Sequence, residues 1–595
     1  MFERIRSWNE RRPATVAVVG LLLSSTILYL VARPSQFFSD DFLNFARADE
    51  VGLTLSWLNG ELFGHWLPAR KALDWGLQLT RPVHWELALL VLVTFVGISA
   101  VLLRWAVVRI TRSTGWGTFA AVMLPLTACV SGTIQWYAGA AQVAPALACS
   151  LVALCACLAF ARAGTVMTAI ASAAVMVASF VVAVLFDERA VVILFASPLL
   201  VPLLPECTRP LRRMLLLWTI AVPASLAWYL IQSAMTEDAP AQTRADPGTI
   251  LVYLAKSLVQ ASMPALIGWN SRPALGGEAL LWIIGATVLA LLITLAWFGD
   301  ARMRALYAVA VFIIVTIATV LPAAVVRAFE FGVDGALEPR YNFMAMPFGV
   351  IAVAVVLQHA SPILRRARPV LRWLAICLVA IAAAASMVHL SANTIGAPAR
   401  AWLERFAETS DGLRATQFYN VPVPESVVAG GFYPYNMLAE LLPLVRVGSD
   451  TVVTDERAAL ANSDGSVTLV EPTIVGAADL TGADGLGEVR PGCWLADGGA
   501  GRLWFEPPPI PIESDLELIT VEGAFEDSGA HLFAGADSAS LRDMTAGVGG
   551  HVPVAGSSRW VTSYEFEDLG AIMVEIPPGE ELCVSSVTIG SLPVR

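Results

Sequence analysis

Two adjacent carboxylates, Asp40 and Asp41, follow the first hydrophobic run of the chain. Acidic groups this close to hydrocarbon are costly unless they are solvated or paired, so their presence indicates a functional site. A carboxylate within hydrogen-bond reach of a hydroxyl can take its proton as the hydroxyl attacks, which accelerates a reaction by about 10²- to 10⁴-fold. As a pair they could supply a general base and a second group that orients or binds the hydroxyl. The residues alone do not decide which of the two takes which role.

The same polar loop, residues 33–85, contains His65, Arg70 and Lys71 together with four tryptophans, Trp57, Trp66, Trp75 and Trp85. Tryptophan prefers the headgroup layer of a membrane, so we expect this loop to lie on the membrane as short amphipathic helices. For His65, packing or hydrogen bonding within the loop is a stronger expectation than catalysis.

Other polar groups stand in short segments between apolar runs. They are Trp136, Tyr137 and Gln142 in one segment, Asp187, Glu188 and Arg189 in a second, and Arg340 with Tyr341 in a third. A charged triplet between two apolar helices is expensive unless it faces a cavity or pairs internally, so local pairing of Arg189 with an acid is the alternative to a binding role. Residues 248–272, which include Lys256, look like a re-entrant or interfacial helix.

Composition sets the class of protein. The chain is 56% hydrophobic and 15% charged with a mean hydropathy of +0.66, which indicates an integral membrane protein. Hydrophobicity ends near residue 392, so we predict a membrane domain over 1–394 and an extracytoplasmic domain over 395–595. The second part is acidic and therefore repels nucleic acid and anionic headgroups.

A membrane span needs about 20 apolar residues. On that criterion we predict eleven transmembrane helices, at 14–32, 86–103, 117–135, 143–161, 165–185, 190–205, 214–232, 278–298, 305–326, 341–358 and 373–392. Arginines cluster before the first helix and after every even-numbered one, which predicts a cytoplasmic N-terminus and an outer C-terminal domain in the cytoplasmic membrane. The alternative reading of the first run, a signal peptide ending near Ala32, would spoil this alternation.

The C-terminal part shows short strand-like runs separated by turn residues, the pattern of an all-β sandwich. Cys493 and Cys583 are its only cysteines, so an oxidising compartment predicts a disulfide between them. The C-terminal part also contains Trp494, Trp504 and Trp560, and a tryptophan in a sandwich is more often part of the core.

The membrane part resembles the GT-C glycosyltransferase superfamily, which includes protein O-mannosyltransferases, the lipid A aminoarabinose transferase and actinobacterial cell-wall arabinosyltransferases. The resemblance is carried by four segments: Ser39-Asp40-Asp41-Phe42, Gly64-His65-Trp66-Leu67-Pro68, Trp136-Tyr137-Ala138-Gly139-Ala140 and Glu338-Pro339-Arg340-Tyr341. It implies an inverting transfer of a sugar from a polyprenyl-phosphate donor to a hydroxyl of a glycan, lipid or protein acceptor outside the cytoplasmic membrane. By the same resemblance, the C-terminal domain would be a carbohydrate-binding sandwich, in which Trp494, Trp504 and Trp560 would be the candidates for stacking on sugar. A purely structural cap is the alternative.

In such a reaction the leaving group is already a phosphate anion, so it needs positive charge rather than a general acid, and arginine recognises phosphate with two hydrogen bonds. The candidates for donor phosphate binding are Arg340 with Tyr341, favoured by the motif, and Arg189, Arg70 and Lys71. The candidates for substrate binding are His65, Trp136, Tyr137, Gln142, Asp187 and Glu188. We expect no required cofactor, although Asp40, Asp41, Asp187 and Glu188 could hold a divalent metal if their loops converge.

Two other functions remain open from the sequence. One is a transporter or flippase for a lipid-linked sugar, in which the acidic groups would couple ions or admit a headgroup. The sequence shows no repeats and no charge at mid-helix depth, which disfavours this reading. The other is a non-catalytic membrane protein that binds polysaccharide.

Overall fold

The computed structural model describes residues 13–61, 64–235, 245–274, 276–366, 369–413, 417–419, 421, 423–432, 435–446, 450–452, 458–470, 473–496, 499–508, 516–524, 531–535, 549–551, 559–564 and 569–592. The chain forms two compact units. The first comprises Met1–Gln36, Val51–Leu77 and His84–Ala397, and the second comprises Phe37–Glu50, Gln78–Val83 and Pro398–Arg595. The predicted domains are continuous ranges, whereas these units are discontinuous because two pieces of the first polar loop group with the C-terminal part.

The first unit is helical. Its α-helices, numbered along the whole chain, are α1 (Pro13–Ala32), α3 (Leu55–Asn59), α4 (Pro68–Gln78), α5 (Trp85–Thr111), α6 (Thr114–Leu126), α7 (Ala128–Thr133), α8 (Tyr137–Arg162), α9 (Val166–Val184), α10 (Ala190–Ala196), α11 (Pro210–Met235), α12 (Pro247–Lys256), α13 (Met263–Ala265), α14 (Gly277–Phe298), α15 (Arg302–Phe331), α16 (Pro339–Asn342), α17 (Met346–Arg366) and α18 (Pro369–Ala392). Between them lie 3₁₀ turns at Ser197–Leu203, Val333–Leu337 and Phe343–Ala345 and a π-helical turn at Ser257–Ser262. The short loops make consecutive long helices antiparallel.

Among the described residues, nine helices are long and apolar enough to cross a membrane, and ten if the bent pair Ile376–Ala392 and Ala397–Leu413 counts as one span. This confirms a multi-pass membrane protein with a C-terminal β-sheet region. Nine or ten of the eleven predicted spans thus meet this criterion within the described residues. The difference lies in the sixth and eleventh predicted spans, because Ala190–Leu203 is shorter than a span needs and the last one enters only as part of the bent pair.

The short sixth segment nevertheless connects two opposite ends of the helical unit. Just before it, Arg189 Nη1 donates to the carbonyl of Arg340 at 3.0 Å. At its other terminus, Arg304 Nη2 donates to the carbonyl of Leu203 and to that of Ile110, the latter at 2.7 Å. Half of the segment is 3₁₀ helix, which rises about 2.0 Å per residue rather than 1.5 Å, so fourteen residues span about 24 Å. We call the two termini the Arg189 end and the Arg304 end.

Residues 248–272 fold as helix α12, the π-helical turn Ser257–Ser262 and the short α13. The π-helical turn packs against α14 so closely that a Cβ added at Gly285 would stand 1.6 Å from the carbonyl oxygen of Val259. Asn342 Oδ1 accepts hydrogen bonds from Ser257 at 2.6 Å and from Ser262 at 2.8 Å, which tie the turn to α16. A π-helical turn is rare and often marks a functional region.

The second unit contains helices α2 (Asp40–Val51), α19 (Ala397–Leu413) and α20 (Leu438–Val445), a 3₁₀ turn at Gly430–Phe432 and all the described strands. These are β1 (Gln417–Tyr419), β2 (Asp450–Val452), β3 (Ala458–Ala461), β4 (Val467–Val470), β5 (Thr473–Ala477), β6 (Asp479–Asp484), β7 (Leu486–Arg490), β8 (Cys493–Ala496), β9 (Gly501–Glu506), β10 (Leu516–Ala524), β11 (His531–Gly535), β12 (Gly549–His551), β13 (Arg559–Tyr564), β14 (Ala571–Ile576) and β15 (Glu581–Leu592). The strand orders are β2-β1-β3-β4, β13-β10-β15-β8-β7 with β5 also on β15, and β12-β11-β14-β9-β6.

The two larger sheets share one apolar core. Side chains from alternate positions of both sheets are buried in it, among them Leu503, Ile519, Val574 and Ile589. The arrangement confirms the predicted β-sandwich, because each strand contributes one apolar face to the same core.

The structure places the two cysteines and two of the three candidate tryptophans of the C-terminal part. Cys493 and Cys583 are cross-strand partners of β8 and β15 and form a disulfide. Trp504 is buried, with its Nε1 donating to Asp484 at 2.8 Å, and partly buried Trp494 packs on the sandwich core, so neither is an exposed stacking platform. The side chain of Trp560 lies outside the part of the chain that the structure describes.

Candidate active site

Helix α4 carries a buried ion pair at the Arg189 end. Arg70 Nε lies 3.1 Å from Asp74 Oδ2, one turn further along the helix, and the two side chains are 1% and 0% exposed. Tyr137, the first residue of α8, donates its hydroxyl to Asp74 Oδ1 at 2.7 Å and is itself fully buried. Arginine and aspartate are almost never fully buried unless they are paired. Asp74 therefore joins α4 to the start of α8.

Lys71, next to Arg70, holds the loop that precedes its own helix. Its ammonium group donates to the carbonyl of Trp57 at 2.8 Å and to the carbonyls of Gly60 and Glu61, and it lies 4.7 Å from the centre of the Trp57 ring. The side chain is 1% exposed. These contacts give Lys71 a structural role in the loop, which competes with its predicted role in phosphate binding.

Arg340 lies between two aromatic rings. Its guanidinium carbon is 4.1 Å from the centre of the Trp136 ring and 4.9 Å from that of Tyr341, whose hydroxyl also accepts from Arg340 Nη2 at 3.2 Å. Arg340 is half-buried, and its Nε has no hydrogen-bond partner. Within the described ranges no carboxylate approaches its guanidinium within 4.0 Å, so its charge is not compensated by an ion pair.

Two glycines make room for this stack. A Cβ at Gly139 would stand 3.2 Å from the Trp136 ring and 3.6 Å from Arg340 Cδ. A Cβ at Gly132 would stand 2.8 Å from the ring of Pro339, the residue before Arg340. The turn between α7 and α8 thus seats the Pro339–Arg340 segment at close range, and any larger residue at Gly132 would displace it.

Arg189 pairs with Asp187, as the local alternative predicts. Its Nε donates to both oxygens of Asp187, at 2.9 and 3.1 Å, and its Nη2 donates to Oδ2 at 2.6 Å. Burial lowers the pKa of Arg189, but the Asp187 charge and hydrogen bonds outweigh it and leave that pKa above its usual value. Arg189 also donates to the carbonyl of Arg340, so this ion pair supports the position of Arg340 rather than offering a free cation.

His65 docks the first loop on the ends of α9 and α11. His65 Nδ1 lies 3.1 Å from Glu188 Oε1, and Gln232 Nε2 donates to the other carboxylate oxygen of Glu188. Burial raises the pKa of Glu188, yet the hydrogen bonds from His65 and Gln232 and the charges of His65 and Arg189 bring it below its ordinary value. Beside these groups the rings of Trp66 and Trp228 stack with their centres 5.3 Å apart. We call His65, Glu188 and Gln232 the loop clamp.

The structure therefore brings most of the predicted residues of the first unit together at one end. Through the contacts above, Asp74 reaches Tyr137, Trp136 reaches Arg340, and Arg340 reaches Arg189 and its neighbour Glu188. Gln142 lies further along α8, half-buried, and joins none of these contacts among the described side chains. The oxygens of Asp187 and Glu188 already accept from Arg189, His65 and Gln232, so a metal there would have to displace those partners.

Asp40 and Asp41 form the first turn of α2 in the second unit. Asp41 is fully buried, and its Oδ2 accepts from the backbone N–H of Phe38 at 3.0 Å, whereas Asp40 is half-buried. The preceding Ser39 has φ +53°, an uncommon conformation for a residue other than glycine, and its N–H donates to the carbonyl of Val427 at 2.6 Å. The positive end of the helix dipole favours ionised carboxylates in this turn.

The sequence alone assigned no role to four residues of the site: Asp74, Gln232, Gly132 and Gly139. The spacing of Arg70 and Asp74, four residues apart on a helix, is a signal for an ion pair and could have identified Asp74. Gln232 and the glycines carry no comparable signal, because their roles depend on the approach of elements distant in sequence.

No protein-family model and no curated protein matches this sequence. Among solved structures, the chain is similar to the arabinofuranosyltransferase AftD from Mycobacteria, with 11% identity and a TM-score of 0.34 over 97% of this chain and 58% of that one. It is also similar to the arabinosyltransferase EmbB from Mycobacterium smegmatis, with 13% identity and a TM-score of 0.31 over 98% of this chain and 65% of that one. The chain spans less than two thirds of the length of each.

Proposed function

We propose that this protein is a membrane glycosyltransferase of the GT-C type that transfers a sugar from a polyprenyl-phosphate donor to a hydroxyl of a cell-envelope glycan, glycolipid or protein. The observation that carries the proposal is Arg340. Its guanidinium is held between Trp136 and Tyr341 at the Arg189 end of the helical unit, and no carboxylate among the described residues compensates its charge. A fixed, uncompensated arginine at the end of a helical bundle suits a lipid-linked phosphate.

The other three predicted cations are less suited to this task. Arg70 is neutralised by Asp74 and is 1% exposed, Lys71 binds backbone carbonyls, and Arg189 is neutralised by Asp187. Arg340 is therefore the residue we assign to the donor phosphate. When the bond between the sugar carbon and the phosphate oxygen breaks, the singly charged donor diester leaves as a polyprenyl phosphate dianion. Arg340 would therefore act most strongly in the transition state, where this charge grows.

For the general base we propose Asp40, with Asp41 as the positioning residue. Asp41 is buried and engaged with the N–H of Phe38, whereas Asp40 is half-buried. A base must reach an acceptor hydroxyl, so partial exposure favours Asp40. The left-handed backbone at Ser39, fixed by Val427, supports a defined orientation of this turn. The transfer as proposed is a single displacement with inversion and needs no cofactor.

We further propose that the Arg189 end faces the outside of the cytoplasmic membrane. The Arg304 end carries a cluster of arginines in short loops and at the adjoining helix termini: Arg112, Arg162, Arg209, Arg212, Arg213, Arg302 and Arg304. Basic short loops stay on the cytoplasmic side. A lipid-linked donor and an envelope acceptor would then meet at the outer face.

Reconstitution of the full chain in liposomes tests this function against its alternatives. The vesicles would contain polyprenyl-phosphate sugars with different headgroups, and oligosaccharide acceptors would be added outside. Formation of a new glycosidic bond supports the proposal. Movement of the lipid-linked sugar between leaflets without product would indicate a flippase, and binding of polysaccharide without either would indicate a non-catalytic protein. Either of these results overturns the proposal.

A further inference from the structure

The ion pair of Arg70 and Asp74 has no place in the chemistry proposed above, although it is an expensive structure to maintain. Both side chains are buried, and the Nη2 of Arg70 has no hydrogen-bond partner. Removing two charges from water costs several kcal/mol per ion, and their attraction repays it only with excellent geometry. A pair of apolar residues of similar size would fill the same space at lower cost. Stability alone therefore does not account for the pair.

The pair connects to Arg340 through one turn of α8. Asp74 fixes the hydroxyl of Tyr137 at 2.7 Å, and the neighbouring Trp136 provides the ring on which Arg340 lies at 4.1 Å. Because Tyr137 is the first residue of the helix and Trp136 is its N-cap, holding Tyr137 fixes the direction in which the chain enters α8. The close seat at Gly139 then leaves little freedom for the Trp136 ring.

We propose that Asp74 is a positioning residue for donor recognition: by anchoring Arg70 and the hydroxyl of Tyr137, it sets the Trp136 platform that orients Arg340 toward the donor phosphate. This rests on the proposed function, because it assigns Arg340 to that phosphate. Asp74 itself touches no substrate. It affects donor binding only indirectly, by setting the orientation of Arg340 through Tyr137 and Trp136.

The position of Arg340 matters because its guanidinium is planar and directional. An arginine held flat on an aromatic ring can present its edge to a phosphate, whereas a rotated one presents its face. Displacement of a binding group by about 1 Å can cost about 10²-fold in a reaction that depends on it. A loss of this kind is expected even when the fold and the charge of Arg340 are intact.

The test uses the full chain in nanodiscs and measures binding of a polyprenyl monophosphate without sugar by native mass spectrometry. The informative variant is the double substitution Arg70→Met with Asp74→Leu, which removes both charges. Because it also removes the acceptor of the buried Tyr137 hydroxyl, it is expected to fold with a somewhat lower thermal stability than the wild type. A second variant, Tyr137→Phe, removes one hydroxyl. As matched control we choose Arg302→Gln, since Arg302 also lies on a tryptophan, 4.4 Å from the centre of the Trp297 ring, but at the Arg304 end.

We expect the double variant to bind the polyprenyl monophosphate about 10-fold or more weakly and Tyr137→Phe a few-fold more weakly, with no change in the control. Combining Tyr137→Phe with Arg340→Gln should add nothing to the loss from Arg340→Gln alone, because both act on one contact. Wild-type binding by a folded double variant, or full additivity with Arg340→Gln, would overturn the positioning role. If the double variant does not fold, the binding measured for Tyr137→Phe, alone and combined with Arg340→Gln, decides whether Asp74 has the positioning role.

This result separates from failure of the proposed function. If Arg340→Gln binds the monophosphate as tightly as the wild type does, the phosphate site is wrong and the proposal about Asp74 falls with it. If Arg340→Gln loses binding while the Asp74 variants keep it, the phosphate site stands and only the positioning role is refuted.

Discussion

Arg340 is the residue at which a small chemical change should have the largest effect on donor use. Its guanidinium is 4.1 Å from the Trp136 ring centre, and its Nη2 already donates to Tyr341. We therefore count one charge-assisted hydrogen bond to phosphate, about 1.5–3 kcal/mol, and a cation–π contact of about 0.5–2 kcal/mol that holds it in place. Substitution of the charge should cost about 2–5 kcal/mol in total, which is about 30- to 4,000-fold in kcat/KM for the donor.

Steady-state transfer at varied donor concentration measures this loss. Arg340→Gln should lose the full factor, and Arg340→Lys should lose less, about 10-fold, since it keeps the charge but not the planar, stacked geometry. Arg302→Gln should keep the wild-type value. Arg340 does not bind the donor phosphate if Arg340→Gln keeps kcat/KM within about twofold of the wild type, or if the loss is as large in the Arg302 control.

Three further predictions concern stability. Gly285→Ala should destabilise the protein by about 1–3 kcal/mol or prevent folding, because its Cβ would meet the Val259 carbonyl oxygen. The control Gly76→Ala in α4 meets no atom within 4 Å and should be neutral or stabilising. Thermal unfolding compares the two variants, and equal melting temperatures would contradict the close packing at Gly285. The double substitution Cys493→Ser with Cys583→Ser removes a disulfide between residues 90 positions apart and should destabilise the C-terminal unit by about 2–4 kcal/mol in denaturant unfolding. Cys377 is free and exposed, so Cys377→Ser should leave the stability unchanged and serves as the control. A double variant as stable as the wild type would contradict a stabilising disulfide. The loop clamp lowers the pKa of Glu188 below its ordinary 4.5, so its contribution is present above that pH and is lost as pH falls through the lowered pKa. The stability advantage of wild type over Glu188→Gln should therefore shrink in melting curves between pH 6 and about 3, and an advantage that grows toward acid would refute the assignment.

The class of protein could be predicted from the sequence because hydrophobicity and arginine placement are properties of short windows. The form of the sixth segment could not be predicted, since Ala190–Leu203 has too few residues for an α-helical span and continues as 3₁₀ helix from Ser197 onward. The hydropathy of a sequence window does not show which type of helix it forms, and therefore does not show how far the chain rises per residue. The β-sandwich was predictable from alternation, and its one pair of cysteines indicated the disulfide.

The sequence predicted which residues lie in the candidate site better than it predicted what each of them does there. Polar residues in loops at the same end of antiparallel helices must lie near one another, which brings Trp136, Arg189 and Arg340 together. Their roles depend on pairing. Arg70 and Arg340 look alike in sequence, but Asp74 neutralises the first, and only the fold shows that no described carboxylate does so for the second.

The central claim is that this protein forms a glycosidic bond with an aspartate as general base. Substitution of Asp40 and of Asp41 tests this claim. The most direct measurement is the rate of sugar transfer from a polyprenyl-phosphate donor by wild type, Asp40→Asn and Asp41→Asn, each shown by thermal unfolding to be folded. We predict transfer by wild type and a loss of about 10²-fold or more for Asp40→Asn, with a smaller loss for Asp41→Asn. Full transfer by Asp40→Asn would contradict it.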